Sequence, residues 1–330
     1  MDEAAINERL VTHIQQAHAM ERAQLGELRA LASEVELASV RGLLERHHEA
    51  TEEHARLLEA RLGELDASGS LRLLTQSIVA SLPKLVMDRV RPDSERAILR
   101  DAIIAEAMEY AAYLLLEAEA IRCGDEDTAL LAQTLRQAER DMRDELMTFW
   151  NQAVDHDIDR IAGDGDGPSR TRAAREMLID HLRDVHALER NAVIMLSTVL
   201  ATVEDELATE RVTDHRDATE RHAEAISERL GELGSGPSMR KQAQGYAFAA
   251  VKGPVNLVRA ERAAKDLRDM YVVEHMELVA YRQLEVLADR AGDERTASIA
   301  LAHMDEEAAM ALWLERETAR FLLETMAKQG

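Results

Sequence analysis

Each half of the chain carries glutamate and histidine residues on helix faces that are otherwise apolar. At about 100° per residue, Glu21 shares a face with Ile14 and Leu28, and His54 shares one with Leu58. Inward carboxylates are costly to bury unless a partner neutralises them. Carboxylate and imidazole donors that converge inside a helical bundle suit a pair of iron or manganese ions, with zinc as a further option. The pattern therefore predicts a metal site enclosed by helices.

The candidate ligands recur after a shift of 168 residues, and the repeat needs no gap. Two drifted copies of one unit act as an internal comparison, so residues kept in both are favoured as contributors to a shared role. The predicted metal ligands are Glu21, His54, Glu106, Glu109 and Glu139 in copy one, and Glu189, His222, Glu274, Glu277, His303 and Glu307 in copy two.

The ligand pattern departs from that of known carboxylate bundles. Such bundles take Glu from two helices and Glu-x-x-His from the other two. Here the second helix carries Thr51-x-x-His54, and the third carries Glu106-x-x-Glu109. Either the extra acid completes a variant site, or the site has decayed. A metal-free alternative, in which these acids hydrogen-bond to His54, His222 and nearby tyrosines, stays open.

Several inward residues have a structural interpretation. His18 and His47, like their counterparts in copy two, are interpreted as buried histidines with satisfied hydrogen bonds. Glu139 has a possible partner in Arg143, four residues along the same helix. Copy two has no arginine at that place and adds His303, so the sequence favours copy two as the tighter metal site.

The elements that would position these residues are long helices. The composition is rich in strong helix formers and poor in glycine, proline and aromatic residues. Two short helix connections flank one long one in each copy, which is the ferritin-like arrangement of a four-helix bundle. The fold class is therefore all-α, with two tandem ferritin-like bundles. The predicted helices are 4–32, 36–65, 94–123 and 126–158, then 172–201, 205–233, 261–291 and 294–327. The long connections 71–93 and 239–260 are each expected to contain a short packed helix.

The glycine-rich segment 163–169 lies where the repeat requires a boundary, which predicts bundles at 1–162 and 170–330. The formal net charge of −23 excludes nucleic acid and anionic membranes as favourable partners, and it attracts cations. One cysteine, an acidic start without a signal-peptide pattern and no long apolar run indicate a cytoplasmic protein.

The motifs also resemble a known family. The segment Val273–Tyr281 (VEHMELVAY) resembles the third helix of the ferritin-like family typified by the bacterial stress proteins YciE and YciF. His47-x-x-Ala50-Thr51-x-x-His54 resembles its second helix, Asp184–Arg190 its first, and Asp305-Glu306-Glu307 its fourth.

This resemblance implies rubrerythrin-type bundles, a link to stress responses and dimers of single-domain members. The two copies would then pair as an intramolecular pseudo-dimer, and a further homo-oligomer is left open. A bound metal pair would imply ferroxidase- or peroxidase-like redox activity, and the rival function is a structural stress module without metal. The family commonly has Glu at Ala50 and Ala218, and Gln at His54 and His222, so the histidines would have to compensate for the missing acid.

Overall fold

The computed structural model describes residues 3–67, 94–163, 166–201, 203, 205–238 and 259–327, and all secondary structure within these ranges is helical. The predicted helices of the long connections 71–93 and 239–260 lie outside the described residues, apart from 259–260, which begin a long helix. None of the described helices combines the length and the apolar character needed to cross a bilayer.

Copy one forms a four-helix bundle. Its helices are α1 (Glu3–Glu34), α2 (Ala38–Glu64), α3 (Glu95–Cys123) and α4 (Glu126–Met147), followed by α5 (Trp150–Ala162). Helix α1 packs on α2 and α3, and α4 packs on α3 and α2. Three residues join α1 to α2, whereas the α3–α4 turn uses Gly124 in the left-handed conformation (φ 70°). The predicted all-α bundle is confirmed.

Copy two repeats this plan. Its helices are α6 (Gly167–Leu200), α7 (Glu206–Glu232), α8 (Arg259–Ala291) and α9 (Glu294–Ala327). Helix α6 packs on α7 and α8, and α5 also packs on α6 and α8. Gly292 (φ 70°) turns the chain between α8 and α9, as Gly124 does in copy one.

A polar clip at one end of each bundle explains a second set of repeated residues. Asp125 caps the start of α4 by accepting the backbone N–H of Thr128, at 3.0 Å. The guanidinium of Arg61, at the end of α2, donates to Asp125 at 2.7 Å and to the Thr128 hydroxyl at 2.8 Å. In copy two the clip consists of Arg229, Asp293 and Thr296. The clip fixes the end of the second helix against the turn between the third and fourth.

The fourth helix differs between the copies. In copy one it is interrupted between α4 and α5, although the sequence predicts one helix over 126–158. Thr148 bonds back to the carbonyl of Glu145 through its hydroxyl at 2.7 Å, and Phe149 makes an i to i−3 backbone bond to Leu146. Such bonds tighten the last helical turn and compete with continuation of the helix. Copy two has Arg316 and Glu317 at these positions, which favour helix, and α9 continues without a break.

The chain divides into two compact units that exchange the ends of their fourth helices. One unit comprises Met1–Phe149 with Glu315–Gly330, and the other comprises Trp150–Leu314. The predicted linker 163–169 therefore joins two helices of the same unit, α5 and α6. The division into 1–162 and 170–330 follows the sequence repeat and stays a prediction about domains.

Polar contacts hold each exchanged segment in its unit. In the first unit, the buried hydroxyl of Tyr110 donates to Glu315 of α9 at 2.5 Å, and Arg140 donates to the same carboxylate at 2.5 Å. In the second unit, Arg290 of α8 forms a two-pronged contact with Asp155 of α5, at 2.7 and 2.9 Å. Bidentate pairs of this kind fix orientation as well as position.

The clip generates a stability prediction. Replacing Asp125 by Ala removes the cap of α4 and leaves Arg61 without its main partner, so we expect a loss of about 1–2 kcal/mol in the free energy of unfolding. The measurement is a urea titration followed by circular dichroism. Glu126→Ala is the matched control, because Glu126 is exposed beside the cap. Its replacement should lower the free energy of unfolding by only about 0.3 kcal/mol. Equal losses in the two variants would contradict the role of the clip.

Candidate metal centre

All four helices of bundle one contribute acidic or histidine side chains to one level of its interior. Two groups of residues place one ligand atom each within 4.8 Å of one another. The first group is His47, Glu106, Glu109 and Glu139, and the second is Glu21, His54 and Glu139. Helix α2 supplies both histidines, since seven residues bring a helix back to nearly the same face.

Glu139 belongs to both groups and faces a histidine with each of its oxygens. Its Oε1 lies 3.0 Å from Nδ1 of His54, and its Oε2 lies 3.7 Å from Nε2 of His47. On the far side, Nε2 of His47 lies 3.0 Å from Oε2 of Glu106. The arrangement is that of two adjacent ligand sets sharing one carboxylate.

Bundle two reproduces both groups at the equivalent positions. They are His215, Glu274, Glu277 and Glu307, and Glu189, His222 and Glu307. Glu307 takes the shared place, with Oε1 at 2.8 Å from Nδ1 of His222 and Oε2 at 3.4 Å from Nε2 of His215.

The acids are buried, and much of their hydrogen-bonding capacity is unused. None of the eight carboxylates is more than 2% exposed. Among the described residues, both side-chain oxygens of Glu109, Glu139, Glu277 and Glu307 lack a partner with hydrogen-bond geometry, despite the short distances to the histidines. Buried polar atoms without partners are costly, and a cation would give these oxygens one. The donor set therefore fits metal ions.

Tyrosines orient the remaining acid of each cluster. The buried hydroxyl of Tyr113 donates to Glu21, and that of Tyr281 donates to Glu189. A hydrogen bond of this kind fixes one carboxylate oxygen and leaves the other free to face the cluster. In copy one, Tyr113 packs in an apolar layer with Leu10, Leu58 and Leu116, which separates this side of the cluster from solvent.

The two groups of bundle one together form the first cluster, and those of bundle two form the second cluster. Burial controls the protonation of the first cluster. Removal from water raises the pKa of Glu106 to about 8 and that of Glu139 to about 7, and it raises the pKa of Glu109 well above the usual range. Burial alone would lower the pKa of His54, but the carboxylates of Glu139 and Glu21 outweigh it and raise that pKa to about 10. Without a cation, the cluster therefore retains protons near neutral pH.

The second cluster follows the same logic with one difference. Burial raises the pKa of Glu274 to about 7 and that of Glu277 well above the usual range. Glu307 also loses solvation, but its close contacts with His222 and His215 lower its pKa. The shared carboxylate of copy two is thus held more firmly in its ionised form than that of copy one.

The structure brings ten of the eleven predicted ligands into the four groups. His303 lies beside them instead. Its ring stacks on His222 with centroids 3.9 Å apart, and its Nδ1 lies 2.9 Å from the hydroxyl of Tyr281. Whether the grouped residues bind metal stays a prediction.

His47 and His215 are the site residues that the sequence interpretation assigned to the core. Two signals pointed to them: each lies seven residues before a predicted ligand, on the same face, and each is kept in the other copy. His18, interpreted in the same way, is buried and lies outside the four groups.

Arg143 and His303, the two reasons for expecting a tighter site in copy two, both lie beside the grouped residues. Arg143 pairs with Asp144 at 3.0 Å and lies over the ring of Tyr110, whereas both oxygens of Glu139 face the histidines. His303 is not part of either group. The grouped residue types are identical in the two copies, and a tighter metal site in copy two stays a prediction.

The clusters of the two copies match, which agrees with a family pattern that occurs twice in the chain. The pattern of the family described as a domain of unknown function, DUF892, matches residues 5–159 and again residues 173–326. The chain belongs to the DUF892 family.

A comparison with curated proteins gave no match to this DUF892 chain. Among solved structures, a crystal structure of a protein from Xanthomonas campestris pv. campestris is similar, with 22% identity and a TM-score of 0.42. The similarity covers 47% of the present chain and 98% of the other.

The buried acids predict an unusual pH dependence for the metal-free protein. A carboxyl whose pKa is raised on folding binds more protons in the folded state, so stability falls as pH rises through that pKa. The raised pKa of His54 acts in the same direction above its ordinary value of 6.5, whereas the lowered pKa of His47 acts only below that value. We therefore expect the free energy of unfolding to fall between about pH 6.5 and pH 8.

Glu109→Gln should flatten this dependence, because glutamine replaces a carboxyl that is protonated in the folded state. The change in slope can reach about 1.4 kcal/mol per pH unit for one proton. Urea titrations of chelator-treated protein across this range measure it, with exposed Glu52→Gln as the control. A stability that rises with pH in this window would contradict the assignment of buried, protonated acids.

Proposed function

We propose that each bundle of this DUF892 protein binds a pair of divalent transition-metal ions, with iron or manganese as the metal. The observation that carries the proposal is the shared carboxylate: Glu139 and Glu307 each face two histidines, one from each of two adjacent ligand groups. Oxygen and imidazole donors without thiolate suit these metals.

The charge of the clusters supports two ions rather than one. The two groups of bundle one together contain four carboxylates, Glu21, Glu106, Glu109 and Glu139, and bundle two contains their four equivalents. Four ionised carboxylates carry four negative charges, which two divalent ions neutralise, whereas with one ion two carboxyls must keep their protons or remain as buried charges. Uncompensated buried charge is strongly unfavourable, so paired ions are the electrostatically balanced state.

In this proposal His47, Glu106, Glu109 and Glu139 hold one ion, and Glu21, His54 and Glu139 hold the other. A bound pair of iron or manganese ions would supply redox chemistry of the ferroxidase or peroxidase kind. The chain's own contribution is to orient Glu21 through Tyr113 and to exclude water through the apolar layer around that tyrosine. The sequence resemblance supports a stress-response setting with the two bundles paired as a pseudo-dimer, and the single cysteine supports a cytoplasmic location.

The rival function is a structural stress module whose polar interior needs no metal. The contacts of Tyr113 with Glu21 and of His54 with Glu139 favour it, because the first stabilises and the second neutralises an acid without a cation. Glu109 and Glu277 count against it, since both oxygens of each are buried without a hydrogen-bond partner in the described part of the chain. A complete hydrogen-bond network would satisfy them.

Metal content tests the proposal directly. Full-length protein, loaded with Fe(II) or Mn(II) without oxygen and then dialysed, should retain up to two ions per bundle by elemental analysis. The double variant Glu106→Ala/Glu139→Ala should lose the ions of bundle one, and Glu274→Ala/Glu307→Ala those of bundle two. Circular dichroism of the metal-free variants checks that they remain folded, because Glu106 and Glu139 also contact the buried His47 and His54.

His47→Ala is a single-residue test of the same site, and His48→Ala is its matched control. His48 is half-buried and contacts Arg29, whereas His47 belongs to a ligand group, so only His47→Ala should reduce the metal content. Protein that retains no iron or manganese in any preparation would leave the metal-free module as the better account.

Thermal stability supplies a second, independent test. A metal that binds only the folded chain stabilises it by about 2.7 kcal/mol at a hundredfold excess over its Kd. The stabilisation should be larger at pH 7.5 than at pH 5.5, because ligand carboxyls must release protons to bind metal. Melting curves with and without Mn(II) or Zn(II) at the two pH values measure it. An unchanged melting temperature at pH 7.5 with every metal would reject the metal function.

A further inference from the structure

The two clusters share their ligands but differ on the outer side of one histidine. In copy two, Glu306 and His303 of α9 lie beside His222. The equivalent positions of copy one are Ala138 and Leu135, which have no group that can bind a cation. The difference lies outside the ligand groups, so it bears on how ions reach the site rather than on the ligands that hold them.

Glu306 connects solvent with the buried histidine. Its side chain is 53% exposed, while that of His222 is only 3% exposed. Oε2 of Glu306 lies 3.3 Å from Nε2 of His222, and the other ring nitrogen, Nδ1, lies 2.8 Å from Oε1 of Glu307. One imidazole thus touches an exposed carboxylate with one nitrogen and the shared ligand carboxylate with the other.

His303 supports this histidine from the side. Its ring is nearly parallel to that of His222, at an angle of 18°, and its Nδ1 contacts the hydroxyl of Tyr281, which donates to Glu189. A polar layer therefore continues from the exposed Glu306 across His222 to ligands of the second cluster. Leu135 and Ala138 interrupt the equivalent path in copy one.

We propose that Glu306 and His222 form an entry site for divalent cations that serves bundle two, and that bundle one lacks such a site. The inference rests on the proposed metal function. An incoming ion would exchange part of its water shell for Oε2 of Glu306 and Nε2 of His222 at the surface. It would then pass the imidazole to reach the ligand groups that contain Glu307.

Two physical arguments support an effect on rate. An exposed carboxylate at the mouth of a buried site raises the local cation concentration and accelerates association, in a way that salt screens. Stepwise replacement of water by carboxylate and imidazole also avoids stripping the ion of all its ligands at once. Neither effect requires a change in the final ligands, so the affinity at equilibrium should depend little on Glu306.

The experiment measures loading of each bundle separately in the full-length chain. Glu106→Ala/Glu139→Ala leaves only the site of bundle two, and Glu274→Ala/Glu307→Ala leaves only that of bundle one. Metal-free protein is mixed with Mn(II) in a stopped-flow instrument, and a fluorescent indicator follows the free ion. We expect bundle two to load about tenfold faster than bundle one at low ionic strength, at the low end of the range for charge steering.

Two further variants assign the effect to the proposed residue. Glu306→Gln should slow the loading of bundle two to the rate of bundle one without changing the amount of Mn(II) retained at equilibrium. Asp305→Asn is the matched control, because it removes the same charge from the adjacent exposed position and should leave most of the rate unchanged. In the reverse direction, Leu135→His/Ala138→Glu should accelerate the loading of bundle one.

The outcomes separate the two proposals. Equal loading rates for Glu306→Gln and Asp305→Asn would overturn the entry site while leaving the metal function intact. A loss of affinity through faster release, with an unchanged association rate, would make Glu306 a positioning residue for His222 and would also overturn it. Failure of both single-bundle proteins to bind Mn(II) would remove the metal function itself and the entry site with it.

Discussion

The constraint on which the rest of the structure depends is the burial of four carboxylates in the middle of each bundle. Apolar packing does not require these acids, and removing them from water raises the pKa of most of them. Bound protons, the contact of His47 with Glu106 and the hydrogen bond from Tyr113 to Glu21 stabilise these acids, and a cation would satisfy the oxygens of Glu109. In the proposed function, folding and metal binding depend on the same few side chains.

The helices determine where these acids meet. Glu106 and Glu109 lie one turn apart on α3, and His47 and His54 lie two turns apart on α2, so each helix presents a pair of groups to the same level. The clip formed by Arg61, Asp125 and Thr128 lies at the end of α2, and it limits sliding between α2 and the α3–α4 turn. Register matters here, because a shift of one turn would move His54 away from Glu139.

The two copies show which parts of this design tolerate change. The grouped ligands, the tyrosine that orients one acid, and the clip are kept in both. The outer side of the cluster is not: Leu135 and Ala138 in one copy become His303 and Glu306 in the other. The interior of the site is therefore the same in both copies while its outer side differs, since outer residues contact solvent and are less constrained by the packing of four helices.

The sequence by itself determined the helices, the repeat and most of the cluster. Helical periodicity predicts that Glu21, His54 and Glu139 point inward and that acids such as Glu52 face solvent. These inferences succeed because the period of a helix is local and the cost of burying a charge is general.

Tertiary structure alone decided three further matters. It placed His47 and His215 among the ligand groups and His303 outside them, because distances between side chains on different helices depend on register and rotation about the helix axis. It placed Glu139 and Glu307 each between two histidines of its own bundle. It also divided the fourth helices between compact units at Trp150 and Glu315, since the packing of a helix end depends on contacts that lie far apart in the sequence.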